Sequence, residues 1–266
     1  MTFGFIGVGN MGGALCEAVC KTVDKTNILI SDYNSNKAAA FAKTLGVVNA
    51  DNETIAQNCD FIVLGVKPQV MEKVLDSISS ELNMRKSPFT LISMAAGLST
   101  DSIKQMAKCD CPVIRIMPNT PVKHGEGMIL YTLNGVSKNN CEQFVYAFKE
   151  SGKLEFIDEK LIDAASAVSG CGPAFCFMFM DALASGGVEC GLPYNTALTL
   201  AAQTLLGSAK TVLESDEHPE ALKTAVCSPG GTTIEGVHAL EAGAFKATSM
   251  NAVKESYKKT LRLAGK

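Results

Sequence analysis

Two groups of glycines have a spacing that suggests chemistry. Gly7, Gly9 and Gly12 lie near the start in "GFIGVGNMG", and Gly230 and Gly231 lie near the end in "CSPGGTT". At both places a backbone without Cβ atoms lets a ligand come close. The first group has GxGxxG spacing, follows a strand-like run and opens a helix-like one, as a pyrophosphate cradle requires. Gly7 permits the tight turn, Gly9 lets the backbone approach the phosphates, and Gly12 lets the helix pack on the strand. The amides that open the helix then face the phosphates, with the helix dipole behind them.

Asp32 follows the second strand-like run, "NILIS". A carboxylate there grips the hydroxyls of an adenosine ribose and repels a 2′-phosphate, which favours NADH over NADPH. Lys37 lies close enough to soften that preference. Three more segments follow apolar runs: Val66, Lys67 and Pro68; Ala95, Ala96 and Gly97; and "MPNTP", with Asn119 and Thr120. Ligands of open parallel sheets sit at the carboxyl ends of the strands. Lys67 reads equally as a phosphate contact or a loop lysine. "MPNTP" reads equally as a nicotinamide-side lining or a proline-braced turn.

The second glycine pair precedes another helix, and Thr232 with Glu235 fits a capping box. Free amides at a helix entrance, with the hydroxyls of Ser228, Thr232 and Thr233 nearby, suit a small carboxylate. An ordinary capping turn accounts for the same residues and is the simpler local reading. His124, His218 and His238 have no ligand spacing, and Cys16 and Cys20 share a helix face with no further ligand at matching spacing, so no metal is expected.

These residues must be positioned by the elements around them. Apolar, β-branched runs at 3–6, 28–31, 60–66, 89–94 and 112–117 alternate with helix-like stretches, which indicates βαβ units and a mainly parallel sheet. Strand-like "GMILYTL" and "KLEFI" follow, with a helix at about 138–150 between them. After residue 158 only helical spacing remains. The expected fold is an α/β Rossmann-type N-terminal domain over 1–157 and a C-terminal all-α domain over 158–266.

The 266 residues carry a net charge of -3 with no basic tract, so nucleic-acid binding is not expected. The 47% hydrophobic content hints at helices buried against another subunit. The most apolar run, "AFCFMFMDALA", contains Asp181 and is too short to cross a bilayer, so no membrane span is expected. No leader-like segment opens the chain, and the ten scattered cysteines read as reduced thiols; both point to the cytoplasm.

Over essentially its whole length the chain resembles pyrroline-5-carboxylate reductase. The resemblance is carried by "GFIGVGNMG", "VKP", "AAG", "MPNTP", "DALASGGV", "GLP", "AAQTLLGSAK" and, most specifically, "CSPGGTTIEGVHALE". It implies NADPH- or NADH-dependent reduction of 1-pyrroline-5-carboxylate, a cyclic imino acid, to proline. It also implies a homodimer interlocked through the C-terminal helices, with rings of dimers as the larger assembly. Carried over by residue, the cofactor site comprises Gly7, Gly9, Asn10, Met11, Gly12, Asp32, Asn52, Val66, Lys67, Pro68, Ala95, Ala96, Gly97 and Asn119. The substrate site comprises Val226, Ser228, Gly230, Gly231, Thr232 and Thr233, with Thr233 as the catalytic candidate at the ring nitrogen. Two departures stand out. "SGCGPAF" replaces the more frequent "SGSGPAY", losing hydroxyls at Cys171 and Phe175. Asp32 stands where many relatives carry residues suited to NADPH. Two other functions remain open on the residues: a hydroxyacid dehydrogenase using Lys210 or Lys223, and a non-catalytic dinucleotide sensor, against which the second glycine clamp argues.

Overall fold

Strands whose residues are apolar on both faces need helices on both sides, and the N-terminal half supplies them. A computed structural model describes residues 1–263. The chain divides into two compact units. The second is Gly172–Glu255; the first is Met1–Cys171 together with the final turns of the last helix, from Ser256.

In the first unit, β1 (Phe3–Ile6), β2 (Ile28–Ser31), β3 (Val48–Asn49), β4 (Phe61–Leu64), β5 (Thr90–Ser93), β6 (Val113–Pro118), β7 (Gly127–Asn134) and β8 (Gly152–Phe156) form one sheet. Its order is β3-β2-β1-β4-β5-β6-β7-β8. The six strands from β1 to β6 are parallel in the doubly wound order, β7 runs antiparallel to β6, and β8 is parallel to β7. Successive side chains go to opposite faces. Phe3, Phe5, Phe61 and Val63 join the core under α1 (Asn10–Val19), α2 (Ser35–Leu45) and α6 (Lys138–Phe148). Ile6, Ile62 and Leu64 join the other, under α3 (Asn52–Asn58), α4 (Pro68–Met84) and α5 (Thr100–Ala107). The expected elements are present. β3 and α3 were not read from the sequence, because two and seven residues are too few to establish a period.

The helix α7 (Glu159–Ser169) also belongs to the first unit, so the compact division falls one helix after the 157/158 boundary read from the sequence. Two acids hold it there. Asp163 meets Arg115 of β6 at 2.6 Å. Glu159 accepts from the backbone N–H and the hydroxyl of Thr100 at 2.7 and 2.8 Å. Helical spacing alone does not reveal such polar anchors.

The second unit contains α8 (Gly172–Glu189), α9 (Tyr194–Glu214), α10 (Pro219–Val226), α11 (Thr232–Ala242) and most of α12 (Phe245–Leu263). Small residues bring α8 and α9 together: Ala184, Ala197 and Ala201 are buried, and a Cβ on Gly187 would crowd Ala197. Larger apolar side chains are exposed on the single chain. Met178 is 72% exposed and Leu213 73%, with Phe177, Leu200 and Leu206 also exposed. The expectation that no segment is long and apolar enough to span a bilayer is corrected here. The helical stretch Glu159–Glu189 meets that test by length and composition, because only Gly170 and Cys171 separate α7 from α8. Its first half is nevertheless tied to the sheet through Asp163 and Arg115.

Candidate active site

The N-terminal glycines occupy the positions their spacing requires. Gly7 follows β1 with φ +96°, and its N–H donates to the Ser31 carbonyl at 2.8 Å. A Cβ on Gly12 would strike the Gly7 carbonyl, so the start of α1 rests directly on the turn. A Cβ on Gly9 would meet nothing within 4 Å. Gly9 is also the N-cap of α1 and makes no side-chain cap, so the first amides of the helix remain available to an anion. Around them lies an open hollow of about 550 Å³ lined by Gly9, Asn10, Met11, Lys37, Thr120 and Lys123, among others. Open backbone, free amides and two lysines, against one carboxylate at Glu17, fit the diphosphate of a dinucleotide.

A second hollow of about 760 Å³ opens beyond β2, lined by Ser31, Asp32, Ser35 and residues 48–54. Asn52 opens α3 there and accepts from the Ser31 hydroxyl at 2.6 Å. The structure therefore brings Asp32 and Asn52 to one cavity. Asp32 is already engaged with the backbone: Oδ2 accepts from Val8 N–H and Oδ1 from Asn34 N–H, each at 3.0 Å.

Val66 lies against the glycine turn, its Cγ1 3.0 Å from where a Cβ on Gly7 would be. Lys67 is the exposed N-cap of α4, and Pro68 its first residue. Ala95, Ala96 and Gly97 follow β5, with Gly97 at φ +78°. Asn119 follows β6, but its side chain is committed to the fold: Oδ1 accepts from Met128 N–H at 2.9 Å, and Nδ2 donates to the Ser169 carbonyl at 3.0 Å. Its neighbour Thr120 reaches the hollow at the entrance of α1 instead.

Two residues at this edge escaped the sequence reading. Gly65, after β4, passes so close to the Gly7 carbonyl that any Cβ would collide with it. The break "GVKP" at 65–68, after an apolar run, was the available signal. Lys123 reaches the hollow from the 3-10 turn Thr120–His124, and nothing in its local sequence marks it.

In the second unit, Ser228–Pro229–Gly230–Gly231 forms a tight turn. The Gly231 N–H donates to the Ser228 carbonyl at 3.0 Å, and Gly230 adopts φ +68°. Proline followed by a left-handed glycine is the signature of a type II turn. A Cβ on Gly231 would strike the Ser228 hydroxyl, and one on Gly230 would meet nothing. The expected capping box is not formed. Gly231, not Thr232, is the N-cap of α11, and no side chain caps it. The Gly231 amide is spent within the turn, which leaves those of Thr232 and Thr233 at the helix entrance without intrahelical partners. Val226 and Thr233 are exposed beside it.

The groups offered by the other readings have partners. Lys210 pairs with Glu214 at 3.7 Å, and Lys223 with Glu220 at 2.7 Å and Glu241 at 3.3 Å. The lysines at 223 and 246 hold the Glu220 carboxyl below its ordinary pKa. His218 caps α10, its Nδ1 accepting from Glu220 N–H at 3.2 Å. Among the described residues, no group of three or more His, Cys, Asp or Glu is arranged to hold a metal ion.

Comparison with known proteins places both units. Residues 159–263 match the family model for pyrroline-5-carboxylate reductase dimerisation, and residues 2–97 match the model described as NADP oxidoreductase, coenzyme F420-dependent. The chain is 38% identical to a pyrroline-5-carboxylate reductase of Arabidopsis thaliana, covering 98% of this chain and 95% of that one. It is 39% identical to the corresponding protein of Escherichia coli, covering 98% and 97%. Its structure resembles that of Plasmodium falciparum pyrroline carboxylate reductase with NADP bound, with TM-score 0.85, 33% identity, and 99% and 98% of the two chains covered.

Proposed function

The chain belongs to the pyrroline-5-carboxylate reductase family, and on that premise we propose that it reduces 1-pyrroline-5-carboxylate to L-proline with NADH or NADPH, as the final step of proline biosynthesis. The observation that carries the reading is the uncapped entrance of α11, whose Thr232 and Thr233 amides follow a turn with no acidic side chain. Such an entrance attracts a small carboxylate.

The amides of Thr232 and Thr233 hold the substrate carboxylate, with Ser228 at the rim and the backbone of Gly230 and Gly231 giving it room. The Thr233 hydroxyl orients the ring nitrogen. Val226 offers an apolar wall. A bound reduced nicotinamide would supply the hydride to the imine carbon, which becomes C5 of proline. The C=N double bond of the protonated imine becomes a single bond, and its electron pair settles on nitrogen, which keeps its proton. The protein therefore needs positioning and electrostatics and no strong acid, in keeping with a site built from backbone and hydroxyls. In the first unit, the amides at Asn10, Met11 and Gly12 take the diphosphate, and Lys37 and Lys123 offset its charge. The Asp32 and Asn52 hollow takes the adenosine ribose, and Asp32 makes NADH a well-used donor. Val66–Pro68, Ala95–Gly97 and the backbone at Asn119 border the nicotinamide half.

The exposed apolar side chains of α8 and α9 are covered by a second copy of the chain, and rings of such dimers extend the same assembly. The partners are then a cyclic imino acid and another copy, not a nucleic acid or a bilayer. Ten free thiols agree with a cytoplasmic setting. The test is direct. Purified protein mixed with 1-pyrroline-5-carboxylate and NADH or NADPH loses nicotinamide absorbance as proline accumulates. No loss with either cofactor contradicts the proposal.

A further inference from the structure

The Asp32 carboxylate bridges two parts of the cofactor site. Oδ2 accepts from the N–H of Val8, the residue between the turn glycine and the open glycine. Oδ1 accepts from the N–H of Asn34. Asn34 in turn caps α2, its Oδ1 accepting from Lys37 N–H at 3.0 Å. A single side chain thus ties the tip of the phosphate loop to the helix beside the ribose hollow.

We propose that Asp32 is a positioning residue for the glycine loop, so that removing it weakens NADH and NADPH together instead of exchanging one for the other. Three considerations support this. The loop needs external support: Gly7 lies in the left-handed region of φ, and Gly9 has no side chain to pack. Hydrogen bonds to an ionised acceptor are about twice as strong as neutral ones, so the one from Val8 holds the loop while the one from Asn34 orients the carboxylate. Each carboxylate oxygen also keeps a second lone pair, so the ribose contact and the strut coexist. Discrimination against a 2′-phosphate is then only part of what this carboxylate does. A loop that must be ordered by its ligand binds any dinucleotide more weakly, whatever its 2′ substituent.

The inference rests on the cofactor reading above, and the experiment separates the two. Wild type, Asp32→Ala and Asp32→Asn are titrated calorimetrically with NADH and with NADPH, and hydrogen exchange at the Val8 amide is followed in the ligand-free proteins. Asp32→Ala is expected to weaken both cofactors by about tenfold or more and to speed Val8 exchange. Asp32→Asn keeps one acceptor oxygen and turns an NH₂ toward the other amide, so it falls between; it carries the test if the alanine variant does not fold. NADPH binding to Asp32→Ala as tight as to wild type, or tighter, overturns the proposal. If wild type binds neither cofactor, the cofactor reading fails. Val8 exchange still decides the strut in that case, since unchanged protection in the variants refutes it.

Discussion

Arg115 and Asp163 meet at 2.6 Å with both side chains almost wholly out of water, at 3% and 7% exposure. The pair fastens α7, the first helix of the segment matched by the dimerisation model, to a central strand of the first unit. Charges buried this way are costly to separate. Asp163→Ala leaves a guanidinium in the interior, with Glu159 at 3.6 Å. A loss of about 3–5 kcal/mol in urea unfolding is expected. Replacing both partners, as Arg115→Met with Asp163→Leu, is expected to recover much of it. Equal damage from the single and double variants would contradict this.

The glycines of the cradle separate folding from binding. A Cβ on Gly12 collides with the Gly7 carbonyl, whereas one on Gly9 meets nothing. Gly12→Ala is therefore expected to lower the melting temperature. Gly9→Ala should melt like wild type and bind cofactor more weakly, because its methyl group intrudes on the hollow proposed for the diphosphate. Thermal melts and cofactor titration of the two variants check the contrast.

Burial pushes the Cys59 thiol up to about 12 from an ordinary 9.0. Cys111 is raised too, chiefly by burial. For an acid whose folded pKa is raised, the unfolded chain loses its proton first. Above the ordinary thiol pKa the unfolded state therefore binds fewer protons, and stability falls as pH rises. The urea midpoint is expected to drop between about pH 8 and pH 10.5. Cys59→Ala should flatten that dependence, and an unchanged slope would count against it.

Much of this was legible in the sequence because it rests on short-range patterns. Apolar runs covered on both faces, as at 61–64, and a proline–glycine turn before a helix, as at 229–231, are local facts. What was missed depends on contacts between distant segments. Gly65 is required only because another turn passes over it. The side chain of Asn119 is engaged by Met128 and Ser169, contacts that no local pattern announces. The capping box fails because the helix starts one residue sooner, making Gly231 the cap. The anchor of helix α7 on the sheet was invisible because Arg115 is 48 residues away from Asp163 in sequence.

The exposed apolar side chains of the second unit lead to an expectation about assembly. Met178 is 72% exposed on α8. If a second copy covers it, Met178→Asp places a charge in an apolar interface and shifts the protein toward monomer. Light scattering on a sizing column measures this, and an unchanged mass would place the interface elsewhere.

The central claim is hydride transfer from a nicotinamide to the imine carbon of a ring whose carboxylate is held at Thr232 and Thr233. It is tested most directly with cofactor deuterated at the transferable C4 position, followed by mass spectrometry and NMR of the product. Deuterium at C5 of proline is expected, at a rate lowered by Thr233→Ala and largely restored by Thr233→Ser. Proline without deuterium, or deuterium at another carbon, would contradict the account.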